Sequence, residues 1–284
     1  MADYNRLRTP FLNLSFTPDV PSNALGPNEY DYGKNIETDV RGIKNVAGEA
    51  AIFGAITGDI IYVDSGFLSG INYVYVVATS QGKWYMVTTS GITNITPGYG
   101  ANPSAALSGY ADGIKFTASW VGNVFFVNDT LRPPMYFALP QTELHIYDSA
   151  PDNYVWNFES TLSPAVTSVT AGFVRSFCSP NVGNILVAGN LTKTYSTGTT
   201  VNAATSVRWS QAFSTTGIPT TWNPTIYNIA NELEIPVRGP IVDGFVLGSN
   251  FYICSYWDTV LMAPIAYQNN TAPIFGFKIG RAHV

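Results

Sequence analysis

Three times along the chain a small residue and Asn lead straight into an unbroken apolar run: Gly122-Asn123-Val124-Phe125-Phe126, Gly183-Asn184-Ile185-Leu186-Val187 and Ser249-Asn250-Phe251-Tyr252-Ile253. A small residue followed by Asn tolerates the positive φ angles of a two-residue hairpin turn, so each word predicts a hairpin whose second strand starts at once. A strand with no polar alternation has no face for water and belongs in the covered middle of a sheet. A chain built from such units is therefore predicted to be all-β, with sheets stacked so that each covers the next.

The hairpins sit inside longer units. The first runs through residues 73–79, a turn at Gln81-Gly82, residues 84–88, a turn at Ser90-Gly91 and residues 92–95. The second has strands at 116–120, 124–127 and 135–137, turning at Gly122-Asn123 and Asn128-Asp129; the third has strands at 173–178, 185–188 and 192–195, turning at 182–184 and Gly189-Asn190. A fourth is read within residues 206–262: a short strand at 207–210, an irregular crossing through Gly217-Ile218-Pro219 and Trp222-Asn223-Pro224, then strands at 241–247, 251–255 and 260–262 after Gly239-Pro240. Turn centres about forty to sixty-five residues apart fall at the long end of blade spacing. The expected fold is an incomplete β-propeller of about four blade-like units, with a β-sandwich as the alternative, because a sandwich gives the same strand lengths and turn spacing. The Gly, Ala, Ser, Asn and Thr segments at 101–112 and 198–205 are expected to be loops.

Residues 1–50 read differently. Pro18, Pro21 and Pro27 exclude a long helix, while Leu12, Leu14 and Phe16, and less strongly Ile36, Thr38 and Val40, keep a period of two. An extended Pro-rich arm over 1–50 and a propeller-like domain over 51–278 are expected. Residues 279–284, Ile-Gly-Arg-Ala-His-Val, match what one frame of a widely used sequencing-library adapter encodes before a stop codon. They are read as a scar, with the natural chain continuing. No apolar signal-peptide core or membrane-length run is present, so neither export by a signal peptide nor an anchor is expected.

Charged residues make up 12% of the chain against 14% aromatics, and the formal net charge is −5. That balance argues against tight grip on a phosphate backbone, though not against a conduit through which DNA slides. Cys178 and Cys254 lie in apolar strands and are expected to be buried small hydrophobes, not a disulfide. Of the two histidines, His283 falls in the scar and His145 is expected to be an ordinary strand or loop residue. Asp148 with Asp152, or Asp59 with Asp64, are the acid pairs available for sugar hydrolysis, with turn and solvent roles the expected ones; Asp129, Asp243 and Asp258 sit at turns. No glycine-rich phosphate loop or calcium loop is found. No residue is assigned as catalytic, cofactor-binding or metal-binding, and no enzyme activity or cofactor is expected. The six tryptophans are expected to fill the core, with Trp222 the most exposed among them.

An Arg208-Trp209-Ser210 strand, a Gly217-Ile-Pro-Thr-Thr-Trp-Asn-Pro crossing, then Gly239-Pro-Ile-Val-Asp-Gly and a strand ending Trp257-Asp-Thr-Val-Leu-Met resemble the tail tubular, or nozzle, proteins of short-tailed bacteriophages. Leu25-Gly26-Pro27, Asn35, Val40-Arg41-Gly42 and Gly48-Glu49-Ala50 extend the resemblance into the arm. It implies a β-propeller body in a virion structural protein, a ring of six copies below the portal and tail adaptor, and a channel for genome ejection that DNA crosses only in passing. Localisation would be the virion tail, and the host cytoplasm during assembly. The alternative is a carbohydrate-binding or glycan-cleaving protein on the same fold.

Overall fold

The structure, a computed structural model, describes residues 54–68, 71–98, 108–149, 152, 154–180, 182–265 and 275–281, together with the backbone of four short strands before them. The chain divides into two units, Met1–Ile52 and Phe53–Val284. In the first, β1 (Ser15–Phe16) pairs parallel with β2 (Glu29–Tyr30), and β3 (Ile36–Asp39) forms a hairpin with β4 (Gly42–Asn45). Leu12 and Leu14, and the other arm positions between these strands, lie outside the described residues.

Among the described residues, the second unit holds four four-stranded antiparallel sheets, each made of consecutive strands. Sheet 1 is β5 (Ile60–Leu68), β6 (Ile71–Thr79), β7 (Trp84–Thr88) and β8 (Gly91–Asn94). Sheet 2 is β9 (Thr117–Val121), β10 (Val124–Asn128), β11 (Met135–Ala138) and β12 (His145–Ile146). Sheet 3 is β13 (Val166–Ser179), β14 (Gly183–Tyr195), β15 (Thr200–Trp209) and β16 (Asn231–Glu234). Sheet 4 is β17 (Ile241–Leu247), β18 (Asn250–Ser255), β19 (Asp258–Pro264) and β20 (Phe275–Arg281). The first strands touch one another in succession, β5 with β9, β9 with β13 and β13 with β17, and each sheet then meanders outward. That is the arrangement of propeller blades around an axis. The fold is an incomplete β-propeller and not the alternative sandwich: four small sheets of consecutive strands stack in succession, where a sandwich has two.

Strand sequence explains the stacking. All of β10 is buried: Phe125 and Val127 point into a core shared with Val74, Val76 and Trp84 of sheet 1, while Val124 and Phe126 join Val174 and Leu186 of sheet 3. β14 does the same one step on, with Leu186 and Ala188 toward sheet 2 and Ile185 and Val187 toward Phe251 and Ile253 of sheet 4. An interior blade is wetted on neither face, which is why these strands carry no polar alternation.

Several expectations need correcting. Only the Gly122-Asn123 word is a two-residue turn, with Val121 opposite Val124 and Gly122 at φ 56°. In the other two, Asn184 and Asn250 already pair as strand residues, opposite Cys178 and Leu247, so neither is a turn residue. No turn occurs at Gly189-Asn190; β14 runs through it with a register shift between Gly189 and Leu191. Asn190 takes φ 57° and donates its side-chain N–H to the Ile241 carbonyl 2.9 Å away, and a Cβ on Gly189 would sit 2.4 Å from the Phe173 ring. The glycine thus admits an aromatic side chain and not a reversal. Residues 200–205, expected as loop, extend β15 because the long β14 offers a paired edge. Val207, Arg208 and Trp209 belong to sheet 3, and β5 opens the first blade although residues 60–68 gave no strand expectation. Ile279, Gly280 and Arg281 pair with Val260, Thr259 and Asp258 as the end of β20. Residues 101–107 lie outside the described residues.

Candidate functional site

The inner strands of sheets 2, 3 and 4 enclose a cleft of about 340 Å³ lined by Ser119, Arg175, Ser176, Asp243, Gly244 and Phe245, among others. The sequence reading places Asp243 at a turn; it lies instead inside β17, opposite Cys254 and next to a register shift, because its carboxylate is taken up by partners on neighbouring strands. Arg175 reaches from β13 to its carboxylate, with Nη2 3.1 Å and Nε 3.3 Å from its oxygens, and Nη1 donates to the Ala118 carbonyl at 3.0 Å. Lys115 Nζ lies 3.6 Å from the same carboxylate, and the Gly244 N–H donates to it at 2.8 Å. Burial pushes the Asp243 carboxyl up, but the Arg175 hydrogen bonds, the Gly244 N–H and the Arg175 and Lys115 charges outweigh it, holding the group below the usual range. The cluster ties three inner strands together with its charges engaged on one another.

His145 sits on β12 at the outer edge of sheet 2. Its Nδ1 is 2.9 Å from Gln141 Nε2 and hydrogen-bonds Asp152, which also accepts from the Tyr136 hydroxyl. Asp152 is therefore drawn toward a buried tyrosine. Its proposed acid partner Asp148 adopts φ 68° and accepts the backbone N–H groups of Trp156 and Asn157 at 2.6 and 2.7 Å. Burial raises the Asp148 pKa, with those hydrogen bonds and Arg208 pulling the other way. Both oxygens of Asp148 hold a loop in shape. In the other pair, Asp64 accepts from the Tyr62 hydroxyl at 2.9 Å and from the Ser65 N–H at 2.7 Å. Asp64, Asp148 and Asp152 thus each spend their carboxylates on hydrogen bonds within the chain.

Two further polar networks were invisible in the sequence. Arg208, fully buried, donates from Nη2 to Glu159 at 2.8 Å, from Nε to Glu232 at 2.8 Å and from Nη1 to the Trp156 carbonyl at 2.8 Å, and its guanidinium lies over the Trp156 and Phe158 rings. Lys193 Nζ bridges the same two glutamates at 2.8 and 2.6 Å. In sheet 2, buried Asp129 accepts from Arg132 at 2.7 Å and from Tyr110 at 3.0 Å, and Tyr110 accepts from Trp84 Nε1 at 2.8 Å. Asp129 also accepts the Leu131 N–H, the expected turn role. Asp258 instead binds Arg238, whose Nη2 donates at 2.8 Å.

The tryptophans separate sharply. Trp84, Trp156, Trp209 and Trp222 are buried, Trp120 is half-buried and Trp257 is 69% exposed. Trp222 was expected to be the most exposed; its neighbours Thr221 and Asn223 suggested solvent, but the crossing folds back and sets its ring edge-on to Trp156, centroids 4.7 Å apart. Cys178 is exposed and Cys254 half-buried, both as free thiols, so the expected burial fails: Cys178 sits at the end of β13, and Cys254 on the outer side of sheet 4. Among the described residues no group of three or more His, Cys, Asp or Glu side chains gathers as a metal site, and no helix is long and apolar enough to cross a membrane.

No protein-family model matches the chain, and no curated protein matches it. Among solved structures, it is similar to Hsv2p of Kluyveromyces lactis at 8% identity and a TM-score of 0.31, covering 80% of this chain and 74% of that one. A second Kluyveromyces lactis Hsv2 structure matches at 9% identity and a TM-score of 0.31, covering 87% and 80%. A ctPRC2 complex matches at 6% identity and a TM-score of 0.30, covering 75% and 50%. The propeller architecture follows from the sheet order and inner-strand contacts alone.

Proposed function

We propose that the chain is a virion structural protein, a nozzle or tubular subunit of a short-tailed bacteriophage tail, working as a homo-oligomeric ring with the tail adaptor and passing DNA transiently. The observation that carries the reading is what the residues of the resemblance do. Arg208 closes the buried ion network and the Ser210 hydroxyl accepts the Leu186 N–H at 2.9 Å. The Gly-Ile-Pro crossing delivers Ile218 and Trp222 into the core between sheets 2 and 3. Ile241 then enters the core that seats sheet 4 on sheet 3, and Gly244 lies where a Cβ would be 2.6 Å from the Phe251 ring. These words join one sheet to the next, as befits a protein whose work is done by surfaces.

The test is to raise antibodies to the purified protein and examine virions carrying this gene by immuno-electron microscopy and mass spectrometry. Decoration of the tail supports the role; purified tails that contain the other tail proteins and none of this one refute it. The rival glycan-binding reading has one observation in its favour. Tyr256 and Trp257 are both 69% exposed on a tight turn, where rings can stack on sugars. Binding on a glycan array that vanishes in Trp257→Ala would favour it.

A further inference from the structure

Two of the apolar hairpins carry an asparagine that their backbone does not require. Gly122 and Gly183 take the positive φ of the turns, at 56° and 85°, while Asn123 and Asn184 keep negative φ. Neither side-chain amide makes a hydrogen bond among the described residues; the contact of Asn184 with the next loop runs through its carbonyl, which accepts the Phe213 N–H at 2.9 Å. Two free amides, each able to donate and to accept, therefore stand at the ends of hairpins from neighbouring sheets.

Between them lies a cleft of about 410 Å³, walled by residues 121–124, Asn184 and residues 213–217. The third wall is held in shape by the chain itself. Ser214 Oγ donates to the Ile218 carbonyl at 2.8 Å, and the Gly217 N–H donates to the Ser214 carbonyl at 3.0 Å. Gly217, at φ 78°, lies where a Cβ would be 3.3 Å from Val124. The half-buried Phe213 ring packs on Phe126, centroids 5.4 Å apart. Thr215 is exposed, and its hydroxyl makes no hydrogen bond among the described residues.

No residue along the cleft carries a charge, so it has no side-chain ion pair to offer a carboxylate, a phosphate or a cation. It offers amides and a hydroxyl that both donate and accept, beside an aromatic ring. A sugar hydroxyl is likewise donor and acceptor, and a pyranose carries such groups around a face of C–H bonds that suits an aromatic ring. An extended peptide would need a row of unpaired main-chain groups, whereas both hairpins are paired up to Val121–Val124 and Ser179–Gly183. We propose that this cleft seats one neutral pyranose unit of a glycan, with Asn123 and Asn184 bonding its hydroxyls and Phe213 lying against its C–H face. The site stands apart from the tail role and from the exposed Trp257 turn on sheet 4.

An array of glucose-, galactose- and N-acetylglucosamine-terminated oligosaccharides beside sialylated and sulfated ones tests it, followed by calorimetric titration of the strongest neutral ligand. Binding to neutral glycans is expected, weakened about threefold to tenfold by Asn123→Ala or Asn184→Ala, the loss of one neutral hydrogen bond each. Thr215→Trp, at an exposed position on the third wall, should abolish binding by filling the space. Asn250→Ala, at the corresponding hairpin of sheet 4 and outside the cleft, and Trp257→Ala should both bind as wild type does. Urea melts show which variants fold, and should an asparagine variant fail to, Thr215→Trp decides. No neutral glycan bound at millimolar concentration, binding confined to acidic glycans, or binding that survives these cleft substitutions in folded protein would overturn the proposal. Loss of binding in Trp257→Ala with the cleft variants unaffected would overturn it too.

Discussion

Replacing Arg208 by Met tests the packing of the third blade most directly. Arg208 and Lys193 face Glu159 and Glu232, two cations against two carboxylates, with Arg208 fully buried and the carboxylates 14% and 17% exposed. Met keeps the volume against Trp156 and Phe158 but leaves one ammonium to serve two acids. Breaking a buried pair costs about 3–5 kcal/mol. Because Lys193 remains and the carboxylates keep some solvent, the lower end applies, about 3 kcal/mol, or roughly 6–12 °C in Tm for a unit of this size. Burial pushes the Glu232 carboxyl up, and Arg208 and Lys193 more than offset it, so its folded pKa lies below the ordinary value of 4.5. A depressed carboxylate stabilises the fold above its unfolded pKa and loses that contribution as pH falls through the folded value. In Arg208→Met, burial gains the upper hand and Glu232 should rise. Between pH 6 and 5 the variant should then gain stability on acidification while the wild type does not. Urea denaturation across that range, with Arg208→Met/Glu232→Gln expected to recover part of the loss, gives the measurement. A cost below about 1 kcal/mol with an unchanged pH profile would refute the buried network.

Gly66→Ala should cost about 1–3 kcal/mol in urea melts, because a Cβ there would lie 2.1 Å from the Trp120 ring across the sheet 1–sheet 2 contact; a neutral result would remove β5 from that interface. Trp222→Ala should cost about 3–5 kcal/mol, and Trp257→Ala no more than about 0.5 kcal/mol, reversing the order that their sequence neighbours suggest. In dilute native protein, maleimide should label Cys178 before Cys254, and simultaneous labelling would show that the end of β13 is covered.

Period, turn chemistry and apolar runs sufficed to place the second, third and fourth strands of sheet 1, the first three of sheet 2 and the three apolar strands of the last blade, since these are local signals that steric and solvation rules write into consecutive residues. The same signals misled at Gly189-Asn190, where a turn-forming pair serves as a bulge because Phe173 needs the space and the Ile241 carbonyl needs a donor. They were silent on β5, whose one side is covered only once sheet 2 is in place, and on Trp222, buried by a crossing that returns from afar.

The candidate site divides the same way. That Asp129 lies at a turn is local chemistry and was legible; Asp243, expected at a turn as well, lies inside β17. That Arg175 of β13 clamps Asp243 of β17, or that Arg208 meets Glu159 and Glu232, depends on residues up to 68 positions apart meeting across strands and sheets. Alone, the sequence determined that this chain makes apolar hairpins in series. Which faces those hairpins cover was decided by the stacking of the sheets, because burial and charge pairing belong to the space between strands and not to any one of them.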